Sequence, residues 1–255
     1  MPAPFPVEQN QNAIEAFEPI TLSEMDGVKL QDRVDTKYVL PVADLPALFD
    51  AMRAHYRILE VGGVRGTAYR SLYFDTVDHK HYQDHHNQRT FRSKVRFREY
   101  VGSDLIYLEV KRKTGRGRTD KVRMRVDAIP TELNAEQKQF VNEAQGRDEV
   151  LVPSLWNHFE RFTFVGRNTP ERLTMDMDLR YTDPNGEGEL SGIVVAELKQ
   201  SRADRTSPFM ELMRSMGHRP KGMSKYCIGM LILHRPVKYN AFKNVMRMLD
   251  RMRAA

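Results

Sequence analysis

The strongest constraint on this chain is residues 94 to 125, where cations recur at every second position. Lys94-Val95-Arg96-Phe97-Arg98 comes first, then Leu105-Ile106-Tyr107-Leu108-Glu109-Val110-Lys111-Arg112-Lys113, then Lys121-Val122-Arg123-Met124-Arg125. Successive side chains of a strand point to opposite faces, so Lys94, Arg96 and Arg98 share a face. The same holds for Glu109, Lys111 and Lys113, and for Lys121, Arg123 and Arg125. The apolar residues between them face the other way. Like charges placed opposite one another across a sheet repel. These strands are therefore expected to present a cationic face to something anionic.

The pattern continues along the chain. Arg33-Val34-Asp35-Thr36-Lys37-Tyr38-Val39-Leu40, Tyr69 to Asp75, Arg161 to Val165, Arg172 to Arg180 and Ile193 to Lys199 read as further strands, about eight in all. In the run from Arg172 to Arg180, Arg172, Thr174, Asp176, Asp178 and Arg180 fall on one face and Leu173, Met175, Met177 and Leu179 on the other. Helices are expected where apolar residues recur at helical spacing behind a cap. Leu45, Leu48, Phe49, Met52 and Tyr56 follow Asp44, Asn134 with Gln137 opens a capping box, and Ser207 precedes Pro208. Pro220 to Tyr226 opens another helix, with Lys225 in a first turn whose free amides favour phosphate. The Thr114 to Asp120 turn, with Gly115 and Gly117, reads as a hairpin turn or as a phosphate cradle.

The chain has 255 residues, a formal charge of +6 and one cysteine, Cys227. That length suffices for a substantial core, and the basic balance favours an anionic partner. A lone cysteine excludes a disulfide framework and suits a reducing compartment. Met1 to Phe17 lacks a basic start followed by an apolar block, and no long apolar run occurs. Neither a secretory signal nor a membrane span is expected, and the expected location is cytoplasmic. His81 and His85, four apart, could share a helical face for a metal such as zinc, but no third ligand stands at a defined spacing. Solvated polar residues flanking a strand are the expectation there.

On the shared polar faces Arg33, Lys37, Lys94, Arg96, Arg98, Lys111, Lys113, Lys121, Arg123, Arg125, Arg161, Arg172, Arg180 and Lys199 outnumber Asp35, Glu109, Asp176, Asp178 and Glu197. One such strand implies a solvated sheet face. About eight imply an α+β chain whose strands close into an antiparallel β-barrel tunnel, apolar outward under flanking helices and charged inward around a wet lumen. Desolvating each charge costs several kcal/mol unless an anion compensates it, and a linear polyanion would do so. Glu109, Asp176 and Glu197 are hard oxygen donors among phosphate-binding cations, a setting suited to Mn²⁺ or Mg²⁺; alternatively they neutralise adjacent Lys and Arg. Glu197 is the leading metal ligand.

Arg33 to Tyr38, Ser71 to Thr76, Lys94 to Arg98, Leu108 to Lys111, Arg172 to Asp176, Glu197 to Lys199 and Ser224 to Tyr226 resemble, in order, the vacuolar transporter chaperone (VTC) domain of the triphosphate tunnel metalloenzyme superfamily. The resemblance covers roughly residues 18 to 235 and implies an eight-stranded tunnel. It implies a polyphosphate polymerase that transfers the γ-phosphate of ATP to a growing chain with a divalent metal. Arg33 and Asp35 stand where the wider superfamily has the glutamates of its Glu-x-Glu-x-Lys signature, which is similar to VTC domains and counts against a triphosphatase or cyclase. By the same resemblance, Lys37, Arg96, Arg98, Lys111, Arg161, Arg172 and Glu197 would form the catalytic set. Lys121 or Arg123, Lys199, Lys221 or Lys225, Ser224 and Tyr73 would hold substrate, and Glu197, with Glu109 and Asp176, the metal.

Residues 1–17, with Pro2, Pro4 and Pro6, are expected to form a flexible tail. Residues 236–255 form a basic amphipathic helix, which packs on the domain or meets an acidic membrane surface or membrane protein. The rival functions are a tripolyphosphatase or nucleoside triphosphatase, and a polyphosphate-binding module without catalysis. A nucleic-acid face using Tyr69, Tyr73 and Tyr107 ranks below these, because a recessed tunnel would exclude a duplex.

Overall fold

A computed structural model describes residues 7–25, 34–115, 119–202, 204, 206–234 and 238–254. Arg33 and the Arg116-Gly117-Arg118 part of the turn lie outside the described residues. The chain opens with α1 (Val7–Glu15), β1 (Pro19–Ile20) and α2 (Leu22–Met25), followed by β2 (Val34–Pro41), α3 (Leu45–Met52) and β3 (Tyr56–Leu59). Next come β4 (Gly66–Asp75), α4 (Lys80–His86), and the meander β5 (Arg92–Tyr100), β6 (Leu105–Lys113) and β7 (Thr119–Val126). After α5 (Ala135–Gln145) the sheet resumes with β8 (Val152–Gly166), β9 (Glu171–Asp183), β10 (Gly186–Leu190) and β11 (Ile193–Gln200). The helices α6 (Pro208–Ser215), α7 (Lys225–His234) and α8 (Lys243–Ala254) complete the fold.

Eight strands form one antiparallel path in the order β2-β11-β9-β8-β4-β5-β6-β7, with β10 added to β9 and β3 to β8. The barrel expected from the sequence is not closed, because β2 and β7 end the path unpaired with each other. The sheet curls nonetheless into a tunnel-like trough. Lys37 on β2 lies near enough to Lys94 on β5 and Lys111 on β6 for their charges to repel.

Alternation explains which side is which. Tyr38 and Leu40 of β2, Val194, Ala196 and Leu198 of β11, Leu173 and Met175 of β9, and Phe162 and Phe164 of β8 point outward and are buried under α1, α3 and α6. Leu72, Phe74, Val95, Phe97, Leu108 and Val110 are likewise covered by Leu133 and by Val141 of α5. Each such side chain contributes roughly 1.5–3 kcal/mol on burial. The α5 start carries the expected capping box, with the Gln137 amide donating to Asn134 Oδ1 at 2.9 Å and Gly146 ending the helix at φ +70. On the concave face, α7 and α8 stopper one end, burying Tyr226, Cys227, Met230, Val245 and Leu249 against Val39, Leu155, Leu179, Tyr181, Ile193 and Val195.

Three expectations need correction. Residues 13 to 17 are no loose tail, since Ile14 and Phe17 are buried in the core and Phe17 lies edge-on to Phe49 at 5.8 Å. The alternation of β9 breaks at Asp178, whose φ is +52, opposite a register shift between His158 and Glu160 of β8. This bulge turns Leu179 and Tyr181 inward and puts Arg180 outside, where it pairs with Asp178 at 3.0 Å. The third concerns His81, which is fully buried rather than solvated, its Nε2 3.0 Å from Glu149 and its backbone amide donating to Asp75.

Candidate functional site

Three carboxylates on the concave face each clamp two cations from different elements. Glu109 of β6, 2% exposed, accepts Arg96 Nε at 2.8 Å and pairs with Lys121 of β7. Asp176 of β9 accepts Arg161 of β8 through Nε at 2.6 Å and Nη2 at 2.8 Å, and pairs with Lys225 at the start of α7. Glu197 of β11 pairs with Lys37 of β2 at 2.8 Å and Lys199 of its own strand at 2.7 Å. Burial opposes ionisation of all three, but the paired cations outweigh it and hold each carboxyl well below the usual range.

Between these clamps lies an aromatic floor. The rings of Tyr69 and Phe159 stack at 5.1 Å with an interplanar angle of 1°. Arg98 stands 5.2 Å from the Tyr69 centroid, Arg161 5.1 Å from the same ring, and Lys225 4.4 Å from that of Phe159. Arg98 is 7% exposed, and its Nε has no hydrogen-bond partner. Among the described residues no carboxylate pairs with it. Burial, followed by repulsion from Arg96, pushes its pKa down to about 10. The nearby Glu109 attracts Arg98 but is held by Arg96 and Lys121, so this desolvated guanidinium keeps capacity to bind an anion.

The remaining predicted residues fall around this centre. Lys94 is half-buried and Lys225 likewise, and burial depresses both to about 8. Lys111, directly opposite Lys94 on β6, shares its face. Arg172 lies opposite Lys199, on the same face. Tyr73, 4% exposed, accepts a hydrogen bond from Arg96 Nη1 at 3.1 Å and stacks on Tyr226, so it orients a cation. Lys121 pairs with Glu109 although 40% of its side chain is exposed, and Arg123, also exposed, lies 4.6 Å over the Tyr107 ring. Lys225 faces the concavity and Lys221 is exposed, tied only by its backbone amide to the Lys37 carbonyl at 2.7 Å. Ser224 caps α7, its Oγ accepting the Cys227 amide at 3.2 Å.

Residues 32–234 match the family model of the VTC domain. The chain belongs to the VTC domain family. Within this VTC domain the matched span holds every clamp described above. Similar solved structures include a Hippeastrum protein classed with adenylyl cyclases and reported to have a dominant triphosphatase activity, 17% identical, with a TM-score of 0.47 over 77% of this chain and 94% of that one. A Vibrio parahaemolyticus protein classed with adenylate cyclases is 13% identical, with a TM-score of 0.41 over 86% and 99% of the two chains. The PH1819 protein of Pyrococcus horikoshii is 9% identical, with a TM-score of 0.42 over 76% and 97%. No curated protein matches the chain significantly.

Among the described residues no three His, Cys, Asp or Glu side chains converge on a common point of the VTC domain that could hold a metal. The donor set still fits an ion that takes a single protein carboxylate and completes its shell with substrate phosphates and water. Glu197, with 18% of its side chain exposed, suits that role. Glu109 and Asp176, at 2% and 4%, have their oxygens enclosed between cations and serve as counter-ions. The aromatics that could have stacked bases are engaged internally, Tyr69 with Phe159, Tyr73 with Tyr226, and Tyr107 with Tyr100 and Arg123. No described helix of the VTC domain is long and apolar enough to cross a membrane. The stripe of α8 is occupied by protein, with Leu249 1% exposed.

Sequence reasoning missed Phe159 and Asp75. Phe159 stands two residues before Arg161, so alternation already placed it on the cationic face. Asp75 is fully buried and holds α4 and α7 together, accepting the His81 amide at 2.7 Å, the Tyr82 amide at 2.9 Å and the Tyr226 hydroxyl.

Proposed function

We propose that this VTC domain is a polyphosphate polymerase that moves the γ-phosphate of ATP onto a growing phosphate chain within the cationic trough. The observation that carries the reading is Arg98, a buried guanidinium with no carboxylate partner among the described residues, set between Arg96 and Arg161. Phosphoryl transfer needs positioning and charge neutralisation more than a protein nucleophile. Arg96, Arg98 and Arg161 would grip the triphosphate, with Lys37, Lys111, Arg172, Lys199 and Lys225 guiding the chain. A terminal phosphate oxygen of that chain attacks the γ-phosphorus in line. The bond from the γ-phosphorus to the bridging oxygen breaks, ADP departs with that electron pair, and the chain lengthens by one phosphate. Mn²⁺ or Mg²⁺ at Glu197 would supply Lewis-acid neutralisation of the phosphate oxygens.

The depressed pKa values of Glu109, Asp176 and Glu197 favour transfer over hydrolysis. A general base works best with a pKa near the operating pH, and these three are held far below it. The chain's terminal phosphate is already anionic at neutral pH and needs no base, whereas water does. A cytoplasmic setting belongs to the same reading. The test is stoichiometry with ATP and Mn²⁺ or Mg²⁺: a polymerase releases ADP without matching free phosphate, and equimolar ADP and free phosphate would establish the triphosphatase instead. A Glu197→Ala protein that elongates at the wild-type rate would overturn the metal assignment.

A further inference from the structure

Outside the trough, beside the start of β5 and the end of β6, lies a second cavity of about 770 Å³ lined by Phe91, Arg92, Ser93, Arg112, Gln145 and Arg147, among others. Three guanidiniums reach it from three separate elements: Arg92 from the start of β5, Arg112 from the outer face of β6, and Arg147 from the segment after α5. Arg147 is neutralised, with Glu149 at 2.8 Å and Asp84 at 3.3 Å. Arg92 and Arg112 are not matched in this way. The Nε atoms of both are buried without a hydrogen-bond partner, and Arg92 Nη1 donates only to the Arg89 carbonyl, at 2.6 Å. Among the described residues the lining holds one acid, Asp120, opposite Arg112 on β7. Gln145, 6% exposed, also leaves its Oε1 unpartnered. Gly146 keeps the space open: a β-carbon there would lie 3.1 Å from Arg112 Nη1.

Buried donors are expected to be satisfied, and the two half-buried guanidiniums of Arg92 and Arg112 each keep a buried Nε without an acceptor. Planar guanidinium forks match tetrahedral oxyanions such as phosphate, which they bind through paired charge-assisted hydrogen bonds. Arg92 pairs in register with Lys113, two residues along β6 from Lys111, which faces Lys94.

We infer that this cavity is a second phosphate-binding site, which takes a condensed phosphate outside the trough. The inference rests on the polymerase reading for its ligand class. The occupant is either the product chain as it leaves the trough or a separate short phosphate ligand, and the two sources are separable. Titrations of the full chain with long-chain polyphosphate and with tripolyphosphate, followed calorimetrically, would be compared for wild type, Arg112→Gln and Arg112→Lys, with thermal melts confirming folding.

The expected result is that Arg112→Gln weakens long-chain binding roughly tenfold, the loss of one bidentate charge-assisted contact, and that Arg112→Lys keeps part of it. Unchanged tripolyphosphate binding would then identify the departing chain as the occupant. Loss of a second tripolyphosphate equivalent in Arg112→Gln would identify a separate short phosphate. Wild-type titrations with both ligands in a folded Arg112→Gln protein would overturn the inference. If Arg98→Gln abolished binding in that same series, the trough reading would stand without it. Wild-type protein that binds neither ligand would remove both.

Discussion

Asp176 holds Arg161 through two parallel hydrogen bonds of 2.6 and 2.8 Å while also pairing with Lys225, and so fastens α7 to the trough at the point where two cations meet the aromatic floor. Removing one partner of a buried ion pair leaves uncompensated charge and costs about 3–5 kcal/mol. Asp176→Asn is therefore expected to lower unfolding free energy by about that amount in urea titrations. Added tripolyphosphate should restore more stability to the variant than to wild type, because it supplies the missing anion.

Arg98 behaves in the opposite way. Its charge is buried without a paired carboxylate among the described residues, so Arg98→Met removes a desolvation penalty at the cost of two cation–π contacts. Its melting temperature should equal or exceed that of wild type, since those contacts are worth roughly 0.5–2 kcal/mol each against several kcal/mol for the buried ion. Tripolyphosphate affinity should fall by at least roughly tenfold, one charge-assisted contact having been lost. A variant that loses stability and keeps affinity would mark Arg98 as structural.

Lys94, Lys121 and Lys225 carry the pH dependence. Burial lowers all three to about 8 from the usual 10.5, in Lys121 against the attraction of Glu109 and in Lys225 against that of Asp176. The unfolded chain thus holds more protons than the native one between about pH 8 and 10.5, and the ligand-free fold gains a contribution to stability as pH rises through that window. Phosphate binding favours the charged lysines, so affinity runs the other way. Titrations at several pH values should show tripolyphosphate binding weakening by roughly tenfold from pH 7 to 9.5, with proton uptake on binding above pH 8.

Asp75 anchors the stopper. Asp75→Ala leaves two buried amides and the Tyr226 hydroxyl without an acceptor. Each unsatisfied group costs about 1–3 kcal/mol, so chemical denaturation should show a loss of several kcal/mol, against about 1 kcal/mol for Tyr226→Phe.

Alternation made much of this legible. On β5, β6, β7 and β11 every second residue faces the trough, so Arg96, Arg98, Lys111 and Glu197 were identifiable from spacing alone, and the α5 capping box was explicit in Asn134 and Gln137. What failed was information carried by the chain at a distance. The bulge at Asp178 depends on how β9 meets β8, and it changes which face Arg180 occupies without altering the period of the sequence. Ile14 and Phe17 read as part of a flexible tail because of the prolines before them, and Phe49 and Phe164, the partners of Phe17, lie far along the chain. His81 is buried because Asp75 and Glu149 receive it, and neither contact has a local signature.

The central claim is that the trough builds phosphate chains. Incubation with ATP labelled in the γ-phosphate and Mn²⁺ or Mg²⁺, followed by electrophoresis of the products, tests it most directly. Wild-type protein is expected to produce a ladder of long polyphosphate, and folded Arg98→Met protein is expected to produce none. Label recovered from wild type solely as free phosphate, or left entirely in ATP, would contradict the account.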